Sequence, residues 1–194
     1  MPKIATALAT LVLMLSNANA QELSQQYDTK NQAKAKGVEL KISYPSGWVG
    51  KDGQGETMLQ VIEGKSAGIP AILMISIKEF PNVSDLESTC SAKSERDWAE
   101  MFADRGTGKE VLSVEKIKMH GVYGSLVTAT DQMQYKGRTV SAESQQMNLC
   151  NKNKMIYLLC GTGLQFRSLD ASKADYEKLI PVCRKIFNSV VLSN

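Results

Sequence analysis

The chain has 194 residues, with 23 Lys and Arg against 20 Asp and Glu, a formal net charge of +3 and only 6% aromatic residues. Near-balanced, scattered charge argues against nucleic acid or an anionic membrane surface as a partner, and sparse aromatics argue against a stacking platform for bases or sugars. The single histidine, His120, leaves little room for Ser-His-Asp or Cys-His chemistry.

Residues 1–20 have the pattern of a cleavable secretory signal peptide. Lys3 supplies the positive start, residues 4–15 form an uncharged apolar run, and Ala18-Asn19-Ala20 ends in the small-x-small pattern of a cleavage site. About a dozen apolar residues are too few to span a bilayer, which needs about 20. The expected location is therefore outside the cytoplasm, in the bacterial periplasm, with no membrane anchor. Residues 21–37 are polar and rich in Gln and Lys, which predicts a flexible lead-in, and residues 38–194 are expected to form a single α+β domain.

Val38-Glu39-Leu40-Lys41-Ile42 alternates as a half-buried strand does and ends at the turn Pro45-Ser46-Gly47, with Trp48 behind it. A glycine-rich loop is predicted around Gly50, Gly53 and Gly55. Two strands over 58–62 and 71–77 follow, joined by a loop over 64–70. Residues 82–93 read as irregular; they carry Cys90 and the sequon Asn82-Val83-Ser84. Ser94 suits a helix N-cap, with Trp98, Met101 and Phe102 on one face of a helix stopping near Gly106. Gly106-Thr107-Gly108-Lys109 lacks the first glycine and the Ser/Thr of a phosphate loop, so it reads as a helix end and turn.

A strand over 110–119 leads through His120-Gly121, read as a solvated turn, into the clearest hairpin in the chain. Residues 122–134 and 139–149 flank Lys136-Gly137, a two-residue turn that sets Val127 opposite Gln146. A third strand over 155–160 then places Cys150 opposite Met155. Residues 171–191 have helical period, with Cys183 on the apolar stripe and Pro181 predicted to kink or restart the helix. Both faces of the three-strand unit are partly apolar, so the expected fold is an antiparallel β-sheet with helices flanking both faces.

All four cysteines, Cys90, Cys150, Cys160 and Cys183, lie beyond the signal segment. An even count in an exported chain points to two disulfides; a Cys₄ metal site and buried free thiols are the competing readings. Period 2 puts Cys160 and Cys150 on opposite faces of the sheet. The C-terminal helix would bring Cys183 to Cys160, leaving Cys90 for Cys150.

The order of elements, the segment Ile42-Ser43-Tyr44-Pro45-Ser46-Gly47-Trp48 and the tail Ile186-Phe187-Asn188-Ser189-Val190 resemble the PsbP-like fold family. That family takes in the photosystem II extrinsic P protein, eukaryotic Ran-binding relatives and bacterial DcrB-type envelope proteins. The likeness covers roughly residues 37–191. It implies a protein that binds and stabilises partners without catalysis or cofactor, and Pro45 and Trp48 as core residues.

No catalytic, cofactor-binding or metal residue is expected. Asp131 and Glu143 are near neighbours on the hairpin but point to opposite faces, which disfavours a paired-carboxylate hydrolase. The row Thr128, Thr130, Gln132, Gln134 against Thr139, Ser141, Glu143, Gln145 reads as a solvated hairpin end, with a wet recognition surface as the alternative. The expected function is a non-catalytic accessory or binding protein associating with another envelope protein. An inhibitor or immunity-type protein using the Gly50–Gly55 loop is the alternative, and a carboxylate-dependent hydrolase is a third reading.

Overall fold

The computed structural model describes residues 21–103, 108–163 and 165–193; the expected signal peptide and the expected helix stop at Gly106 lie outside the described residues. The elements are β1 (Leu23–Asp28), β2 (Glu39–Pro45), β3 (Val49–Asp52), β4 (Met58–Ser66), β5 (Ile69–Glu79), α1 (Leu86–Ala92), α2 (Glu95–Phe102), β6 (Lys109–Met119), β7 (Val122–Tyr135), β8 (Arg138–Asn151), β9 (Lys154–Thr162), α3 (Leu169–Asn188) and β10 (Val191–Ser193). Seven strands form an antiparallel sheet in the order β3-β4-β5-β9-β8-β7-β6, and β1, β2 and β10 form a smaller antiparallel sheet. The fold is α+β with helices on both faces of the main sheet.

Alternation decides which side chains meet which helix. Leu73, Ile75, Met147, Leu149, Ile156 and Leu158 point to one face and pack with Tyr176, Leu179, Val182, Ile186 and Phe187 of α3, joined by Leu40 and Ile42 of β2. On the opposite face Cys150 and Met155 meet Leu86 and Cys90 of α1 and Trp98 of α2. Helix α2 begins as the sequence predicts: the Ser94 hydroxyl accepts from the Asp97 N–H while the Asp97 carboxylate accepts from the Ser94 N–H, a reciprocal cap. The central hairpin has the expected register, Val127 opposite Gln146 and Cys150 opposite Met155. Its turn residues Lys136 and Gly137 both have positive φ, +50° and +72°, the backbone twist that matches two paired strands.

Several local expectations are corrected. Residues 21–37 are not a flexible lead-in: β1 pairs with β2, Leu23 and Tyr27 pack against the core, and Thr29 and Ala35 are buried. A polar composition hid this strand because its stabilisation comes from backbone pairing and two side chains. Gly50 lies in strand β3, opposite Ile62 of β4, so the glycine-rich loop contracts to the turn around Gly53 and Gly55. The 64–70 loop narrows to a two-residue turn at Ala67-Gly68. Residues 82–93 are not irregular: they contain α1, capped by Asp85, whose carboxylate accepts from the Ser88 N–H at 2.8 Å. With seven residues and one buried pair, Leu86 and Cys90, α1 is too short to display a helical period. Helix α3 runs unbroken through Pro181, which sits on its exposed side, so the Glu177 carbonyl that loses its helical partner faces solvent.

Candidate functional site

The hairpin row that reads as solvated is so only at its outer end, where Gln132 and Gln134 are exposed. Ser141, Glu143 and Gln145 of β8 are buried where the N-terminal half of α3 packs on that strand, and Thr130 is buried opposite Glu143. Ser141 anchors that cover: its hydroxyl meets the Ser172 hydroxyl at 2.7 Å and donates toward the carbonyls of Arg167 and Ser168, both at 3.0 Å. Its backbone also pairs with Gln165 in both directions, at 3.0 and 3.2 Å. Apolarity alone could not foretell this, since what hides the row is a helix docked on polar residues.

The burial leaves three oxygens without a hydrogen-bond partner: Glu143 Oε2, Gln145 Oε1 and the Tyr176 hydroxyl. Burial pushes the Glu143 carboxyl above its ordinary range; Lys173 pulls it down and Glu177 pushes it further up. Burial likewise raises the Tyr176 phenol, and the Glu143 charge adds to the rise. Asp131 stands opposite Ala142 on the other face, so the two carboxylates do not converge.

Beyond Ser141 the hairpin emerges from under α3. Of the exposed large apolar side chains, Tyr135 and Phe166 meet here, both at 50% exposure. The Tyr135 and Phe166 rings lie 6.1 Å apart, the Arg138 guanidinium sits 4.3 Å from the Phe166 centroid, and Lys136 Nζ is 5.3 Å from that of Tyr135. Between the hairpin and the entry to α3 runs a groove of 490 Å³ lined by Gln132, Arg138, Thr139, Phe166, Arg167, Ser168 and Leu169. Arg167 binds Asp175 through Nη1, while its Nε and Nη2 are buried without a partner. Sequence reasoning singled out Gln132 and Thr139 but missed Arg138 and Phe166, which lie on separate segments that only the fold brings together.

A second groove, of 440 Å³, crosses the opposite face where α1 and α2 do not reach. Ile72, Met74, Leu159 and Met133 line it, with Ser144 and Thr162 hydroxyls and the carboxylates of Asp131 and Glu63 at its edge. Glu63 is paired with Lys51 at 2.6 Å. This is an apolar, weakly charged surface suited to contact.

The other candidate residues have structural surroundings. His120 is an exposed turn residue at φ +50°, whose Nε2–H donates to the Val190 carbonyl at 2.7 Å, tying the β6–β7 turn to the end of α3. Cys90 is bonded to Cys150 and Cys160 to Cys183, with Cα separations of 6.4 and 5.6 Å. Trp48 is buried and donates to the Lys65 carbonyl at 3.3 Å, and Pro45 is buried beside it. Among the described residues no group of three or more His, Cys, Asp or Glu side chains is placed to hold a metal ion, and no helix is long and apolar enough to cross a membrane.

No protein-family model matches the sequence, and no curated protein does. Solved structures match at the level of the fold. The solution structure of the cyanobacterial PsbP protein (CyanoP) from Synechocystis sp. PCC 6803 superposes with a TM-score of 0.58 at 15% identity, over 87% of this chain and 92% of that one. The Ran-binding protein Mog1p of Saccharomyces cerevisiae gives 0.52 at 10% identity over 88% and 96%. LpqN, involved in cell envelope biogenesis of Mycobacterium tuberculosis, gives 0.51 at 8% identity over 88% and 91%. The chain has the PsbP-like fold.

Proposed function

We propose that the protein is a non-catalytic accessory protein of the bacterial periplasm, released by cleavage after Ala20, that docks on another envelope protein. It acts without cofactor, nucleic acid or membrane anchor, as one domain that starts at Leu23 rather than at residue 38. One observation carries this reading: exposed Tyr135 and Phe166 lie together, with Arg138 over the Phe166 ring, at the free end of a long hairpin whose base is clamped by α3. Exposed aromatic side chains beside arginine are the groups that anchor protein interfaces. The Ran-binding protein Mog1p shares the fold, which supports a binding role, and LpqN, involved in cell envelope biogenesis, shares it too, which fits an envelope location. An inhibitory loop finds less support, because Gly50 is held in a strand.

A photo-crosslinking residue placed at Tyr135 in the intact cell tests the reading. We expect a discrete adduct with one envelope protein from Tyr135 and none from exposed Leu112 on edge strand β6. Equal labelling from both positions, or a mature chain that does not begin at Gln21, would overturn it.

A further inference from the structure

The groove beside Phe166 has a charge pattern that its apolar neighbours do not. Arg138 has no carboxylate partner among the described residues, and its guanidinium sits over an exposed ring, 4.3 Å from the Phe166 centroid. Stacking holds a guanidinium in place and leaves its edge N–H groups free for a planar acceptor. Across the groove stands the first turn of α3, a 20-residue helix capped by the Ser168 side chain on the Ala171 N–H. Arg167 is committed to Asp175, which also meets Lys178 at 3.5 Å. Asp170 lies in the first turn of α3 but does not line the groove. Lys136 adds a second cation at the hairpin tip. Gln132 and Thr139 supply neutral amide and hydroxyl groups. The lining therefore holds two arginines, hydrogen-bond donors and no carboxylate.

We infer that this groove receives an acidic segment of the partner protein, a Glu or Asp carboxylate bridging the free edge of Arg138 beside an apolar side chain resting on Phe166. The inference rests on the reading of the hairpin end as a docking surface and names the chemistry of what docks. An anionic bilayer fits less well. The lining is an open groove with amide and hydroxyl groups, and insertion at a lipid surface calls for a larger apolar protrusion and more basic residues. A carboxylate also matches the two-pronged geometry of arginine.

The test uses the mature protein and defined probes, so it does not depend on finding the natural partner. The peptide acetyl-AEEFEEA-amide, its charge-reversed counterpart acetyl-AKKFKKA-amide and vesicles of phosphatidylglycerol with phosphatidylcholine are titrated separately into isotopically labelled protein. We expect the acidic peptide alone to shift the resonances of Arg138, Thr139 and Phe166, with an affinity that falls as salt rises. The exposed-site variant Arg138→Ala should weaken it about tenfold, and Arg138→Lys should recover only part of the loss. Equal binding of the basic peptide, binding of vesicles alone, no response to the acidic peptide, or an unchanged affinity in Arg138→Ala would each overturn the assignment. Adducts from Tyr135 combined with failure here would leave the docking surface standing and remove only the acidic partner.

Discussion

Replacing Glu143 by Gln should stabilise the protein at alkaline pH and leave it unchanged at acid pH. Glu143 is only 7% exposed as a residue, one of its carboxylate oxygens has no partner, and its neighbours Gln145 Oε1 and the Tyr176 hydroxyl also lack one. A buried polar group left unsatisfied costs about 1–3 kcal/mol, and more when ionised. The sign follows from protons bound: burial raises the folded-state pKa above the unfolded value, so the folded state holds its proton more tightly. Stability is full below the unfolded pKa and is lost as pH rises through the folded one. At low pH the protonated carboxyl is a donor and can meet the free oxygens nearby. At high pH it is an unpartnered anion, with Lys173 as partial compensation and Glu177 opposing it. In Glu143→Gln the amide supplies donors at every pH. The expected gain at pH 8 is about 1–3 kcal/mol, or about 2–4 °C in Tm for each kcal/mol in a domain of this size. Urea denaturation of the wild type and the variant between pH 4 and pH 9 measures both curves. Parallel curves, with the same dependence on pH, would refute the reasoning.

The two disulfides should contribute unequally. The sequence separations of 60 for Cys90–Cys150 and 23 for Cys160–Cys183 correspond to about 4 and about 3 kcal/mol of loop entropy. Denaturation of the paired Cys→Ala variants measures the difference, and a Cys150–Cys160 link in unreduced peptide maps would contradict the pairing. Trp98→Ala should cost about 3–5 kcal/mol, because Trp98 is fully buried in the smaller apolar cluster beneath α1 and α2; a loss under 1 kcal/mol would show that this cluster is not part of the cooperative core. In Gly124→Val a Cβ would run into the Asn148 carbonyl across the hairpin. We expect about 1–3 kcal/mol lost and broadened amide resonances along β7 and β8, where an unchanged spectrum would count against the close approach.

Much of this architecture is legible in the amino-acid sequence. Period-2 alternation marks β2, the Lys136-Gly137 turn dictates the β7–β8 register, and Ser94 with the acidic residues after it starts α2. Those signals are local: each depends on residues a few positions apart. The same logic placed Cys150 and Cys160 on opposite faces of one sheet, where the structure joins them to Cys90 and Cys183. β3 and α1 have too few side chains to show a period, and β1 is too polar to show one.

The sequence by itself determined which side chains share a strand face and which positions turn. Only the tertiary structure decided what covers each face. Ser141, Glu143 and Gln145 look like solvent-facing residues because they are polar, yet α3 buries them, held by the Ser141–Ser172 contact from another part of the chain. Arg138 and Phe166 are unremarkable where they stand in the sequence and become one surface only because that contact brings the entry of α3 onto the hairpin. Periodicity records the polarity of a face. The occupant of that face is chosen by long-range packing, which no local pattern encodes.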